Sequence, residues 1–299
     1  MILFAFDAYR SMAGAIARSG PVQAGQFSVD RYENGEMHIE LQTRVAGSPC
    51  AVLGAIGPAD DQFLATMLLA HTLKKDGARS VMALFPYLAY ARHDKDKPGE
   101  SLATAWTGLV ARASGLDEVI TVDIHSERAR RLYPIPVLSV SPAEVFAAAI
   151  SRHGLKDATL VAPDEGAIPR CRAVAMAAGI EQAEIPFFRK QRTAGGITHA
   201  GPIGKTGRRV VIVDDILDTG ETLLSACEKL QAAEVEDITI LVTHGLFTGE
   251  RWTGLWELGV QRLFCTDSIP VPHGGQRAGV VSLPVASLLE QQLFALVRA

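Results

Sequence analysis

Residues 210–224 read VVIVDDILDTGETLL, an apolar run that leads directly into two acids and a glycine-containing turn. The four apolar residues at 210–213 predict a buried strand, as in a parallel sheet covered by helices. Asp214 and Asp215 follow at once, although adjacent carboxylates repel each other and are poor strand formers. We therefore predict a strand over 210–213, the two acids at its exit, and a helix over 219–230. Apolar residues recur on one face of that helix: Leu223, Cys227 and Leu230.

The turn between this strand and helix suits a sugar phosphate. Backbone N–H groups at a helix N-terminus bind phosphate, helped by the helix dipole and by neighbouring hydroxyls such as that of Thr219. Gly220 lets the backbone approach an anion closely. The carboxylates of Asp214 and Asp215 can accept hydrogen bonds from a diol, and Glu221 must point away from a bound phosphate. The competing interpretation is an acidic cluster that only caps the helix.

Strand-like and helix-like segments alternate along the rest of the chain. Predicted helices cover 62–75, 101–113 and 143–152, and predicted strands cover 80–84, 118–122, 159–162 and 238–242. This alternation predicts an α/β protein with two similar domains, each a mainly parallel sheet flanked by helices. We place the boundary near 134–142, which gives domains of residues 1–141 and 142–299. Ligands of such sheets bind beyond the carboxyl ends of strands, where acidic residues and a histidine lie.

Composition and charge argue against several classes of function. The chain has 299 residues, of which 48% are hydrophobic, and its net charge of -4 gives no reason to expect a nucleic-acid partner. The N-terminal MILFAFD lacks the basic segment of a signal peptide, and no apolar run is long enough to span a bilayer. We therefore expect no membrane association and a cytoplasmic location. The scattered cysteines indicate buried thiols rather than disulfides or zinc: Cys50, Cys171, Cys227 and Cys265.

The stretch 210–222 resembles the ribose-5-phosphate-binding signature of the phosphoribosyltransferase superfamily. Other motifs in the chain, in their order and spacing, resemble the ribose-phosphate pyrophosphokinase family from about Asp30 to Pro270. They include THGLF at 243–247 and TDSIP at 266–270, whose value in the family is mainly architectural. The resemblance implies that ribose 5-phosphate binds to seven residues: Asp214, Asp215, Asp218, Thr219, Gly220, Glu221 and Thr222.

Two motifs resemble the family's ATP-binding segments. Residues 85–95 read FPYLAYARHDK, with a histidine where the family has glutamine, and residues 30–36 read DRYENGE, with Asn34 in place of an acid. By chemistry alone, the first is a charged loop and the second a hairpin turn. The implied ATP-binding residues are Tyr32, Asn34, Glu36, Arg92, His93 and Asp94. Because relatives donate the adenine-gripping segment from a neighbouring subunit, the resemblance also implies a homo-oligomer, a dimer or a hexamer.

Three further strings resemble the family's catalytic and metal-binding elements. TVDIHS at 121–126 resembles an element whose histidine lies near the ATP phosphates and a magnesium ion, and VAPDEGA at 161–167 resembles the pyrophosphate loop, whose aspartate helps hold a metal. The implied cofactor is Mg²⁺, with His125 and Asp164 near the ions. FRKQR at 188–192 matches the Lys-x-Arg of a mobile catalytic loop, and in an extended segment Lys190 and Arg192 point the same way. Lys190, Arg192 and His125 are the implied catalytic residues.

The resemblance implies Mg-dependent transfer of diphosphate from ATP to ribose 5-phosphate, giving phosphoribosyl pyrophosphate and AMP. Two alternatives stay open. A nucleobase phosphoribosyltransferase would share the loop at Thr219, but it would usually be shorter and lack a separate ATP half. A non-catalytic regulatory homologue of the synthetase would be favoured by the loss of Lys190, Arg192 or His125, and all three are present.

Overall fold

A computed structural model gives the fold and describes residues 1–55, 60–193, 196–270 and 279–298. The chain divides into two compact units. The first comprises Met1–Val140 together with Val285–Ala299, and the second comprises Ser141–Pro284. Each unit contains a parallel sheet and helices, so the predicted α/β class is confirmed.

The first unit is built on a parallel sheet whose strands are connected mainly by helices. Its strands are β1 (Ile2–Ala5), β2 (Gln23–Ala24), β3 (Phe27–Arg31), β4 (Met37–Leu41), β5 (Pro49–Leu53), β6 (Ser80–Phe85), β7 (Glu118–Val122) and β8 (Val137–Val140). Its helices before residue 140 are α1 (Arg10–Ser19), α2 (Asp60–Lys75), α3 (Ala103–Ala113) and α4 (Glu127–Leu132). The sheet order is β2-β1-β5-β6-β7-β8, and every neighbouring pair is parallel. The carboxyl ends of β6 and β7 therefore meet at one edge.

Strands β3 and β4 form a separate antiparallel hairpin. Its turn contains Asn34 and Gly35, and Gly35 has a φ of 89°, which favours glycine because it has no Cβ. The Gly35 N–H donates to the Tyr32 carbonyl at 2.8 Å, and the Tyr32 N–H donates to the Glu36 carbonyl at 2.9 Å. The turn that the Asn-Gly pair predicts is therefore present at the tip of this hairpin.

Over its described residues, the second unit contains a five-stranded parallel sheet and a separate pair of antiparallel strands. Its elements are α5 (Ala143–Arg152), β9 (Thr159–Val161), α6 (Ile168–Ala178), β10 (Lys190–Thr193), β11 (Gly196–His199), β12 (Arg209–Leu217), α7 (Glu221–Ala232), β13 (Asp237–Gly245), β14 (Val260–Thr266) and β15 (Val280–Leu283). The order is β15-β14-β13-β12-β9, and β10 pairs antiparallel with β11. The segment predicted as an extended loop is thus a β-hairpin over its described residues.

Helices on both faces of the second sheet explain the uninterrupted apolar run of β12. Val211 and Val213 pack in one core cluster with residues of α5 and α6, whereas Val210 and Ile212 pack in another with residues of α7. Successive strand residues point to opposite faces, so a strand covered on both sides needs an apolar residue at every position. On α7, Leu223, Cys227 and Leu230 are all buried, as their spacing predicts.

The two acids lie inside β12 and not at its exit, which corrects the predicted strand end. The strand continues to Leu217 because β13 is equally long and pairs with it beyond the acids, at Asp214 with Val242 and at Leu217 with Gly245. The helix begins at Glu221 rather than Thr219, because Gly220 has a φ of 86° and therefore stands outside the helix as its N-cap.

The end of the chain also differs from the predicted domain of residues 142–299. The last helix, α8 (Ala286–Arg298), belongs to the first unit, where it contacts α1 and β7. Leu289 and Leu293 on this helix are fully buried, and the Phe294 ring lies so close to Gly20 that a Cβ there would be 2.1 Å from it. The amphipathic helix buries its apolar face on the first unit, so that unit is assembled from two separate parts of the sequence.

Candidate functional site

The paired acids lie where one neighbouring strand has ended. Strand β9 pairs with β12 only as far as Ile212, whereas β13 continues beside Asp214. Each of the two carboxylate residues is 8% exposed, and the Asp215 N–H donates to Asp214 Oδ1 at 2.9 Å. Arg170, on α6, brings a guanidinium nitrogen to 3.9 Å from Asp215 Oδ2. The acids are therefore buried, held within a paired strand and faced by a cation.

Burial and charge perturb the titration of this pair. Burial raises the pKa of Asp214 well above its ordinary value of 3.8, and the neighbouring charge of Asp215 raises the pKa further. The positive charge of Arg170 acts in the opposite direction, and Asp164 contributes a smaller upward shift. Asp214 therefore holds a proton more readily than an exposed aspartate, and the two buried acids suit hydrogen bonding to sugar hydroxyls.

The loop after β12 presents the start of α7 to a ligand. Gly220 is its N-cap, and a Cβ at this position would lie 2.8 Å from the Trp252 Cα, so both the conformation and the packing require glycine. The loop is held from one side by the segment after β13, because the Thr248 N–H donates to the Asp218 carbonyl at 3.1 Å. Thr219 is exposed at the tip. This arrangement brings the N-terminus of α7, where the helix dipole favours an anion, close to the exposed Thr219.

Glu221 begins α7, and its carboxylate is directed toward the neighbouring segment. Its Oε1 lies 3.7 Å from Arg251 Nη1. Arg251 starts the 3₁₀ helix Arg251–Leu258 that follows β13. The expectation that Glu221 points away from a phosphate is consistent with this pairing.

Asp164 follows β9 at the same edge of the second sheet as the paired acids. Its Oδ1 accepts a hydrogen bond from the Ala167 N–H at 3.2 Å, which makes it the N-cap of the 3₁₀ turn Glu165–Ala167 that leads into α6. The residue is only partly buried. One carboxylate oxygen therefore stabilises the turn, and the residue also lies close enough to Asp214 to affect its pKa.

In the first unit, the predicted ATP loop is anchored by Asp94. This residue is 5% exposed, and its Oδ2 accepts a hydrogen bond from Ser126 Oγ at 2.5 Å. Ser126 also caps α4 by accepting from the Ala129 N–H at 2.9 Å. Arg92 and His93, in contrast, are exposed. The structure thus joins the loop after β6 to the loop after β7 that carries His125.

His125 is held at the carboxyl edge of β7 by an irregular backbone. Asp123 has a φ of 45°, which is uncommon for a residue other than glycine, and its N–H donates to the Val140 carbonyl at 2.9 Å. The Ile124 N–H donates to Ser139 Oγ at 2.9 Å. Unusual backbone conformations persist where the surroundings enforce them, and they are common at functional sites. The His125 side chain itself is exposed.

The predicted adenine-binding residues lie at the tip of the β3–β4 hairpin. Tyr32, Asn34 and Glu36 are all exposed. The Tyr32 ring lies 5.2 Å from the His38 ring, and Asn34 Oδ1 accepts a hydrogen bond from the Glu36 N–H at 3.1 Å. The tip therefore has a fixed backbone and presents an aromatic ring and two polar groups outward.

Lys190 and Arg192 lie on β10, two residues apart, opposite His199 and Ile197 of β11. Their extended backbone is as predicted, but their side chains lie outside the described part of the structure. Among the residues that are described, no group of three or more His, Cys, Asp or Glu side chains is arranged to hold a metal ion. Within the same residues, no helix has the length and apolar character needed to cross a membrane.

Sequence reasoning missed three residues that the structure brings to these sites: Arg170, Ser126 and Arg251. Arg170 lies six positions after Asp164 and meets the paired acids only because α6 folds back beside β12. Ser126 carries the usual signature of a helix N-cap, which indicates a local role but not its bond to Asp94. Nothing in the sequence indicates that Arg251 lies beside Glu221.

The comparisons with known proteins agree with this division into two units. Residues 1–113 match the profile described as the N-terminal domain of ribose phosphate pyrophosphokinase, and residues 141–271 match the phosphoribosyl transferase domain. A crystal structure of phosphoribosylpyrophosphate synthetase from Mycobacterium smegmatis has a similar fold, with a TM-score of 0.87 and 23% identity. The likeness covers 99% of this chain and 98% of that one.

Relatives that the chain matches along nearly their whole length are named ribose-phosphate pyrophosphokinase. The chain is 26% identical over 304 residues to a ribose-phosphate pyrophosphokinase of Ralstonia nicotianae, covering 100% of this chain and 95% of the relative. It is 28% identical over 297 residues to one of Neisseria meningitidis, covering 97% and 90% of the two chains. With both domain profiles matched in order and relatives matched along nearly their whole length, the chain belongs to the ribose-phosphate pyrophosphokinase family.

Proposed function

We propose that this protein transfers diphosphate from ATP to O1 of ribose 5-phosphate, giving phosphoribosyl pyrophosphate and AMP. One observation carries the proposal: buried paired acids and a glycine-capped helix N-terminus stand together at one sheet edge of the unit that matches the phosphoribosyl transferase domain. Acids that accept from a diol and amides that bind an anion suit the two ends of a pentose phosphate. The ATP half is supported by the match of residues 1–113.

In the second unit, each part of the site has a separate task. The loop residues Asp218, Thr219, Gly220 and Thr222 hold the 5-phosphate through backbone amides and hydroxyls. Asp214 and Asp215 orient the ribose hydroxyls, which places the anomeric oxygen for attack. Because phosphoryl transfer depends on positioning and charge neutralisation more than on covalent chemistry, this fixed geometry is itself the main contribution.

In the first unit, the exposed residues contact the nucleotide. Tyr32 stacks on adenine, Asn34 and Glu36 hydrogen-bond to it, and Arg92 and His93 contact the phosphates. Asp94, predicted as a direct ATP ligand, is buried against Ser126, so we assign it to positioning the loop. On β10, Lys190 and Arg192 stabilise the charge on the transferring phosphate and on the departing AMP.

A magnesium requirement fits the donor groups that are present. Mg²⁺ prefers oxygen ligands, keeps several waters and is usually held by one or two carboxylates together with substrate phosphates. Asp164 offers a partly exposed carboxylate close to the buried acid Asp214. His125 would stand near the ATP phosphates. When bound, the ion would neutralise phosphate charge, and the residues of this chain would orient the two substrates.

A homo-oligomer and a cytoplasmic location remain predictions. The exposed hairpin tip at Tyr32 is compatible with an adenine site that is shared between subunits. Measuring the mass of the native particle by light scattering, with and without ATP, tests the first of these. A strict monomer with full activity would contradict the shared site.

The decisive experiment is an assay of AMP release from ATP, Mg²⁺ and ribose 5-phosphate, with a panel of pentose phosphates and nucleotides. We expect AMP and phosphoribosyl pyrophosphate in equal amounts. The variant Lys190→Ala should still bind ribose 5-phosphate, but its kcat should fall by a factor of about 10²–10³, which is the usual effect of losing one transition-state donor. No AMP, together with base-dependent release of pyrophosphate from phosphoribosyl pyrophosphate, would instead identify a nucleobase phosphoribosyltransferase. Nucleotide binding without either reaction would indicate a regulatory homologue.

A further inference from the structure

Glu221 places a negative charge at the start of the helix proposed to bind phosphate. It is the first residue of α7, next to the N-cap Gly220. A carboxylate there interacts favourably with the helix dipole but repels a phosphate dianion bound to the same amides. Its side chain is 24% exposed, so water screens this repulsion only in part. A cation beside the loop would offset this repulsion.

Arg251 is held beside this loop by the packing of its neighbour. Trp252 is buried in the core cluster that also contains Leu223, and its ring lies 4.9 Å from that of Phe247. The close approach of its Cα to Gly220 fixes the backbone of Arg251 next to the start of α7. The Trp252 indole N–H donates to the Gly249 carbonyl at 3.1 Å, which closes the turn before Arg251. The backbone of Arg251 is therefore positioned by the core packing of Trp252.

The Arg251 side chain is 64% exposed and meets Glu221 at 3.7 Å, which is a long separation for a hydrogen-bonded ion pair. An exposed pair of this kind contributes little to folding stability, so stability alone does not account for it. A guanidinium carries five donors in a planar fork, which matches the oxygens of a phosphate, and a single carboxylate does not use all of them.

We propose that Arg251 is a further binding residue for the sugar phosphate, held at the rim of the loop by Glu221 and turning its guanidinium to the 5-phosphate when the pentose binds. This inference rests on the proposed function of the loop. Glu221 then has two effects, because it keeps the arginine in place and also lowers affinity by its own charge. The pair sets how strongly this site prefers a phosphorylated pentose.

A double-mutant cycle separates binding by Arg251 from mere neutralisation of Glu221. The dissociation constants of ribose 5-phosphate, ribose and inorganic phosphate are measured by calorimetry for the wild type, Arg251→Gln, Glu221→Gln and the double variant. We expect Arg251→Gln to raise the dissociation constant of ribose 5-phosphate by about tenfold, which is the usual effect of losing one charge-assisted hydrogen bond. The binding of inorganic phosphate should weaken by a similar factor, and the binding of ribose, which has no phosphate, should not change.

The double variant decides between the two roles. If Arg251 contacts phosphate, the double variant stays weaker than Glu221→Gln alone by about tenfold. If Arg251 only neutralises Glu221, the double variant equals Glu221→Gln, and the proposal is overturned. Arg208→Gln is the matched control, because Arg208 forms an exposed pair with Glu236 before β12 begins. Failure of the wild type to bind ribose 5-phosphate would overturn the proposed function itself, whereas wild-type binding with no effect at Arg251 would overturn only this inference.

Discussion

At the scale of single residues, the candidate site is defined by ionisable side chains that are buried. Asp214 and Asp215 are buried within a strand, although desolvation and the charge of Asp215 both oppose the ionisation of Asp214. Arg170 offsets part of this cost. Sequence motifs identified the acids because adjacent carboxylates after an apolar run are uncommon. They did not identify Arg170, because a cation that approaches from a separate helix leaves no local pattern.

Replacing Asp214 with asparagine should stabilise the free protein. The pKa of Asp214 is raised in the folded state, so its ionisation lowers the free energy of unfolding. This loss of stability is absent below the unfolded pKa near 3.8 and is fully present above the folded pKa. Asp214→Asn should therefore raise the Tm at neutral pH by about 2–4 °C, which corresponds to about 1 kcal/mol, and the gain should vanish at acidic pH. The control variant Asp237→Asn should change the Tm in the opposite direction, because Asp237 pairs with Arg209 and Arg262. An unchanged Tm at every pH would contradict the buried-charge interpretation.

At the scale of elements, helices and strands were predicted where local residue patterns determine them. The helix Ala143–Arg152 and the strand Glu118–Val122 have their predicted bounds, because proline, glycine and periodic apolar residues mark them directly. The end of β12 was predicted four residues too early, since its last residues are held by a ladder with β13 that sequence spacing does not show. The position of Gly220 between strand and helix was predictable, whereas its close contact with Trp252 was not.

Gly220→Ala tests that contact. An alanine at a φ of 86° is strained by about 1–2 kcal/mol, and its Cβ would lie 2.8 Å from the Trp252 Cα, so the loop must move. We expect the affinity for ribose 5-phosphate to fall by at least about tenfold with the KM for ATP unchanged. Gly179→Ala is the matched control, because Gly179 has a φ of 65° and open space around its Cα. Equal effects of the two variants on ribose 5-phosphate binding would show that the loss comes from general backbone strain and not from displacement of the loop at Gly220 by Trp252.

At the scale of the whole molecule, the chain builds its first unit from residues 1–140 and then returns to it at residue 285. The division near residue 141 follows from proline and pattern changes, which are visible in the sequence. The return of α8 was not predicted, since an amphipathic helix indicates that it needs an apolar surface but not which surface it finds. The second unit is therefore inserted between two parts of the first.

Leu289→Ala on α8 should destabilise the first unit selectively. This leucine is fully buried, and a buried leucine truncated to alanine costs about 2–5 kcal/mol. We expect native-state proteolysis to cleave residues 1–140 faster, while ribose 5-phosphate, which we propose binds in the second unit, still protects residues 141–284. Gln291→Ala, at an exposed position of the same helix, should change neither pattern. If Leu289→Ala instead exposed residues 141–284 and left residues 1–140 resistant, α8 would stabilise the second unit, and the inserted arrangement would be wrong.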